Sequence, residues 1–128
     1  MKCPACRVPM YVAEYRQIEL DLCGQCEGVW FDRGELSLLL GDDRPLAVTA
    51  AVSEEATRTC PLCDKPMDKV NIGPDRRVVV DHCPQDCGLW FDATEVAALT
   101  GELDAAGWGL PPAVFDFLRE MFPAKGGK

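Results

Sequence analysis

"CGQCEGVWFDRGEL", residues 23–36, and "CPQDCGLWFDATEV", residues 83–96, are the stretches on which the fold turns. Each runs from a cysteine pair through a glycine to Trp-Phe-Asp and then into a helical pattern. Each also follows an earlier cysteine pair, "CPACRVPM" at residues 3–10 and "CPLCDKPM" at residues 60–67. One module is written twice, and this repeat organises the rest of the chain. The copies disagree at one place. The last cysteine of the second copy is Cys87, one position later than Cys26 would place it.

The chain has 128 residues. A unit of about 40 residues buries too little apolar surface to fold without a metal, disulfides or a partner. Eight cysteines can provide that staple. No apolar stretch precedes Cys3, so no signal peptide is expected, and no run approaches the ~20 apolar residues of a membrane span. The expected location is cytoplasmic, where paired cysteines serve as metal ligands more often than as disulfides. The formal net charge is −8. Phosphate binding relies on Lys and Arg, so direct nucleic-acid binding is not expected. The best basic candidate, Arg76-Arg77, would point to opposite faces of a strand.

Four segments follow from the repeat: unit one at residues 1–41, a linker at 42–59, unit two at 60–101 and a tail at 102–128. The linker opens on "GDDRP" and continues as a short helix or a mobile connection. In unit one, residues 10–15 and 18–22 read as strands, with Ile18, Leu20 and Leu22 alternating with Glu19 and Asp21. Residues 67–72 and 76–82 take these places in unit two, around a Gly73-Pro74-Asp75 turn. A short helix closes each unit. Asp32 with Glu35, and Asp92 with Glu95, fit a capping box. Leu36, Leu39 and Leu40 share one helical face, as do Val96 and Leu99. Gly41 and Gly101 suit a left-handed helix end. In the tail, Pro111 or Pro112 starts an amphipathic helix with Val114, Phe117, Leu118 and Met121 on one face.

Cys3, Cys6, Cys23 and Cys26 form CxxC–hairpin–CxxC. Two cysteines in a tight turn can aim both sulfurs at one point, and a second turn across the hairpin completes a tetrahedron around zinc. Backbone N–H groups in the turns can donate to the thiolates. In unit two the set is Cys60, Cys63, Cys83 and Cys87, with Cys87 carried on a wider turn. His82, beside Cys83, is the alternative fourth ligand; otherwise it is a packed strand histidine. The fold class expected is a small metal-stabilised α+β protein: two tandem hairpin-plus-helix units with cysteine knuckles, and a C-terminal amphipathic helix.

The run Gly28, Trp30, Phe31, Asp32, Gly34, Glu35 and Leu36 resembles the transcription factor IIB-type zinc-ribbon family. The second copy keeps Gly88, Trp90, Phe91, Asp92 and Glu95. It departs at Cys87, at Ala93-Thr94 and at Val96. The resemblance implies a zinc ribbon with one ion per unit, two zinc ions per chain, and a protein-docking role related to transcription.

Four sulfurs per ion leave no open coordination position to activate water. No catalytic constellation stands out around the single histidine, so enzyme activity is not expected. The leading function is an intracellular zinc-binding adaptor or transcription-related regulator acting through a protein partner, with a homodimer through the C-terminal helix as a further use of that face. Trp30-Phe31 and Trp90-Phe91 are either exposed anchors or plugs between hairpin and helix. At least one of each pair is expected to be buried. The alternatives are a rubredoxin-like iron electron carrier, since sulfur ligands alone do not separate zinc from iron, and a thiol-based redox or zinc sensor.

Overall fold

The computed structural model describes residues 1–15, 17–36, 48–51, 56–72, 78–107 and 112–121. Strands β1 (Tyr11–Tyr15) and β2 (Ile18–Leu22) form the first hairpin, in register from Tyr11↔Leu22 to Tyr15↔Ile18. Strands β5 (Asp68–Ile72) and β6 (Val78–His82) form the second, from Asp68↔His82 to Ile72↔Val78. Both hairpins stand where the alternation of apolar residues puts them. The Gly73-Pro74-Asp75 turn and Arg76-Arg77 lie outside the described residues.

Each half adds a third strand that the sequence reading did not separate out: β3 (Val29–Asp32) and β7 (Gly88–Phe91). They are the Trp-Phe runs themselves, and they pair antiparallel with each other. Trp30 lies opposite Trp90, flanked by Val29↔Phe91 and Phe31↔Leu89. The two halves therefore meet about a local two-fold relation centred on the tryptophan pair. The result is one seven-stranded sheet in the order β1-β2-β3-β7-β6-β5-β4. The remaining strand, β4 (Val48–Ala50), comes from the segment read as a helix or mobile connection. It lies on the outer edge of β5, from Val48↔Ile72 to Ala50↔Val70. The β-branched Val48 and Thr49 fit a sheet edge better than a helix.

Strand periodicity sorts the central residues onto two faces. Val29, Phe31 and Phe91 join Leu20, Leu22, Val70, Ile72, Val78 and Val80 in one apolar core. Phe31 and Phe91 meet edge to face with ring centroids 5.3 Å apart, a geometry that adds roughly 0.5–1.5 kcal/mol beyond area burial. Trp30 and Trp90 take the other face, packed among the cysteines. All four aromatics are buried, so none is an exposed anchor.

Helix α1 (Ala93–Ala105) begins at the predicted capping box, where the Asp92 N–H donates to Glu95 Oε1 at 2.7 Å. The Asp32 N–H makes the same 2.7 Å bond to Glu35. Leu39, Leu40 and Gly41 of the first closing helix lie outside the described residues. Gly101 does not end α1. The helix runs on to Ala105, and the left-handed residue is Gly107, with φ of +74°. Fully buried Leu103 continues the apolar face of Val96 and Leu99 by another turn, and burying that side chain outweighs the cost of about 1 kcal/mol for an internal glycine. Helix α2 (Pro112–Met121) starts at Pro112, as its fixed φ allows. Its Phe117 and Met121 pack against the core of the same chain. Among the described residues no helix is long and apolar enough to cross a membrane.

Candidate metal centres

The eight cysteines gather as two sets, Cys3, Cys6, Cys23 and Cys26, and Cys60, Cys63, Cys83 and Cys87, with the sulfurs of each set within 4.8 Å of one another. Four turns position them. Each is closed by a hydrogen bond from a cysteine N–H to a carbonyl five residues on: Cys3 to Val8, Cys23 to Gly28, Cys60 to Lys65 and Cys83 to Gly88. In the first three, the residue after the second cysteine is left-handed: Arg7, Glu27 and Asp64, with φ of 63–65°. Its N–H donates back to the carbonyl of the first cysteine, at 2.9–3.0 Å. This bond offsets the roughly 1–2 kcal/mol that a side chain costs in that conformation.

The fourth turn is not wider. Residues 83–88 close the same ring as residues 23–28. Cysteine and left-handed residue have exchanged places. Asp86, with φ of +61°, now precedes Cys87, and its N–H reaches the Cys83 carbonyl at 2.8 Å. Cys87 therefore stays within the same ring and joins the sulfur set. His82 lies outside that set, with its Nε2 3.6 Å from Asp86 Oδ1.

The donor sets fit a four-sulfur metal. A tetrahedron with bonds of about 2.3 Å has edges near 3.8 Å. Cys3 and Cys26 sulfurs are 3.7 Å apart, and those of Cys63 and Cys83 are 3.6 Å apart. All eight cysteines are free of disulfides. Backbone donors already point at the sulfurs. Ala5 and Cys6 N–H groups approach Cys3 Sγ at 3.3 and 3.2 Å; Gln25 and Cys26 both approach Cys23 Sγ at 3.4 Å. In the second half, Leu62 donates to Cys60 and Gln85 to Cys83.

These donors set the thiol acidities. Burial raises the pKa of Cys23, but the Cys26 and Gln25 N–H groups together with the Cys26 and Cys3 thiols outweigh it and bring the thiol down to about 7. Cys83 reaches about 7 in the same way, through Cys87 and Gln85. Burial pushes Cys26 up to about 11. At Cys87 the hydrogen bond with Cys83, followed by burial, pushes the thiol to about 12. A metal held by these sulfurs would displace protons from the thiols whose pKa is raised.

Two glycines lock the centres together. A Cβ on Gly28 would stand 2.4 Å from the Trp90 indole, and one on Gly88 would stand 2.7 Å from the Trp30 indole and 2.2 Å from the Phe31 carbonyl oxygen. Each tryptophan lies over a glycine of the opposite half. The matched Gly-x-Trp spacing was the available sequence signal, but nothing in it tells which half the indole covers. The Trp30 indole N–H donates to Asp32 Oδ1 at 2.8 Å, whereas the buried Trp90 indole N–H has no such acceptor. Arg33 bridges the halves as well. Its N–H donates to the Cys87 carbonyl at 3.0 Å, and its Nε lies 3.3 Å from Asp86.

Residues 2–41 match the transcription factor IIB-type zinc ribbon, a family described as a transcription factor zinc-finger. The first half is thus similar to that family over its whole cysteine set. No match is found among curated proteins or among solved structures. Each of the paired four-sulfur sets could hold zinc or iron.

Proposed function

We propose that the chain binds two structural zinc ions, one per half, and serves as a protein-binding adaptor or transcription-related regulator in a reducing compartment such as the cytoplasm. The observation that carries this reading is the pair of four-sulfur sets at tetrahedral spacing. A zinc ion held by four thiolates has no position for substrate or water, so its contribution is to folding. The second half is read as another ribbon because its turns close as the first half's do. Residues 1–41 and 60–101 are then the two ribbons, residues 42–59 join them and residues 102–128 make up the tail, which takes in the end of α1 and, among its described residues, α2. The link to transcription comes from the family matched by residues 2–41. Phe117 and Met121 are used inside the chain, so partner contacts are sought elsewhere than on that face of α2.

Native mass spectrometry with elemental analysis of the same sample tests the metal reading. Two zinc ions per chain are expected. One ion would remove Cys87 from its role as ligand, and iron would turn the reading towards electron transfer. The same spectrum gives the oligomeric state and so checks for a homodimer.

A further inference from the structure

The outer edge of β1 has a counterpart that is already filled. The local two-fold relation places β1 on β5, with Val12, Ala13 and Glu14 matching Lys69, Val70 and Asn71. On β5 the edge carries β4: Thr49 lies opposite Asn71, and the Ala51 N–H donates to the Lys69 carbonyl at 3.0 Å. Among the described residues nothing pairs with the same edge of β1. Within Tyr11–Tyr15 that edge carries no lysine, proline or bulge, its one charge being Glu14; Lys2 bridges Pro9 just before the strand. Tyr11 and Val12 are 53% and 57% exposed, two of the four exposed large hydrophobic residues described.

The charges on this edge and on β2 beside it indicate its occupant. Glu14 lies directly opposite Glu19, and Asp21 follows on the same face. Like charges facing across a ladder are destabilising. Among the described residues no lysine or arginine forms an ion pair with any of the three, and the N-terminal ammonium acts on Asp21 alone through its charge. The second half has Asn71 opposite Val79, and Lys69 beside Asp81.

We infer that the β1 edge takes an extended basic segment of a partner protein as an added strand, with a lysine or arginine opposite Glu14, where Thr49 stands on β5. Backbone hydrogen bonds would supply affinity and the cation would supply selectivity. A second copy of the chain fits less well. Antiparallel self-pairing about Ala13 sets Val12 opposite Glu14, supplies no cation and joins two chains of net charge −8. The inference rests on the adaptor reading and names a surface for it.

The test uses the metal-loaded full chain, isotopically labelled for NMR, with its metal content checked by native mass spectrometry. The probe is an acetylated seven-residue peptide of alternating valine and threonine with lysine at its centre; its twin carries glutamate there. The lysine peptide is expected to shift the Val12 and Glu14 amides, slow their hydrogen exchange and bind about fivefold or more tighter than its twin. Glu14→Lys is expected to reverse that preference. Val12→Pro should abolish binding with the metals retained, because by the match to Lys69 its backbone points outwards. Equal binding of the peptides, shifts mapping away from β1, or no binding to fully metallated protein would each overturn the inference without touching the metal reading. A concentration-dependent dimer lost in Val12→Pro would overturn it in favour of a second copy.

Discussion

Asp21 and Asp81 hold the same place in the two halves, each on the middle strand of its hairpin and opposite a tryptophan of the third strand. Their neighbours on the outer strand differ. Asp81 faces Lys69, with 2.7 Å between Nζ and Oδ1 and both side chains largely buried. Asp21 faces Val12. Burial raises the pKa of both carboxyls. For Asp81 the buried lysine opposes the rise; for Asp21 the next cause is Asp32, which adds to it, and only the charge of the N-terminal ammonium opposes it. The half whose edge is covered by β4 compensates its buried charge internally. The open half leaves its acidic face to water, or to a partner. One repeated sequence thus supports a closed end and an open end of the same sheet.

The largest test of this comparison is removal of one ligand from each half. Metal binding in zinc-finger peptides is worth about 10–16 kcal/mol, as much as the whole stability of many domains. Cys3→Ser and Cys60→Ser are each expected to lose the ion and the amide dispersion of their own half and, through the crossed indoles, to weaken metal binding in the other, read by NMR and metal analysis. An unchanged spectrum would mean that the cores alone hold the halves.

Lys69→Met comes next, with an expected loss of about 3–5 kcal/mol, because it strands a buried carboxylate. The variant should push the Asp81 pKa further up. A carboxyl whose folded pKa is raised favours the folded state at low pH and loses that contribution as pH rises from the unfolded value towards the folded one. The deficit in denaturant unfolding should therefore be greater at pH 7 than at pH 4. A pH-independent deficit would assign the cost to lost packing.

Alanine at the two glycines separates the halves by a smaller margin. Both variants meet an indole edge and a strand carbonyl, but the carbonyl is nearest at Gly88 whereas at Gly28 the indole is nearest and the Phe91 carbonyl stands 3.0 Å away. Overpacking costs about 1–3 kcal/mol, and Gly88→Ala should lie at the upper end because a strand carbonyl yields less than a side chain. Thermal unfolding gives the order. The smallest effect is expected from Asp86→Cys with Cys87→Glu, which rewrites the fourth turn in the pattern of the second. The ring length is unchanged, so both ions should be retained with affinity altered by less than about tenfold, measured by competition with a chelating dye.

The hairpins, the capping glutamates, the eight cysteines and the start of α2 were legible because each leaves a local mark: alternation, a three-residue spacing, a paired thiol, a proline. The third strands were not. "VWFD" and "GLWF" are too short and too uniformly apolar to show a period, and their pairing partner lies sixty residues away, in the other half. β4 was hidden for a similar reason, since its three residues are strand only because β5 offers an edge. Gly101 misled because burial of Leu103 decides where α1 ends. The place of Cys87 beside the other three sulfurs follows from the repeat, but the wider turn does not exist: the ring keeps its length and its left-handed residue changes place.

The crossing of each indole over the other half's glycine means that neither cysteine set is built by its own half alone. If both sets hold metal, emptying the second is expected to loosen Trp90, and with it the notch at Gly28 beside the first set. Metal given in half the required amount should therefore leave a mixture of empty and full chains, with few singly loaded ones. In dilute metal the protein would behave as one switch with two keys, and its response to metal supply would be steeper than that of either half.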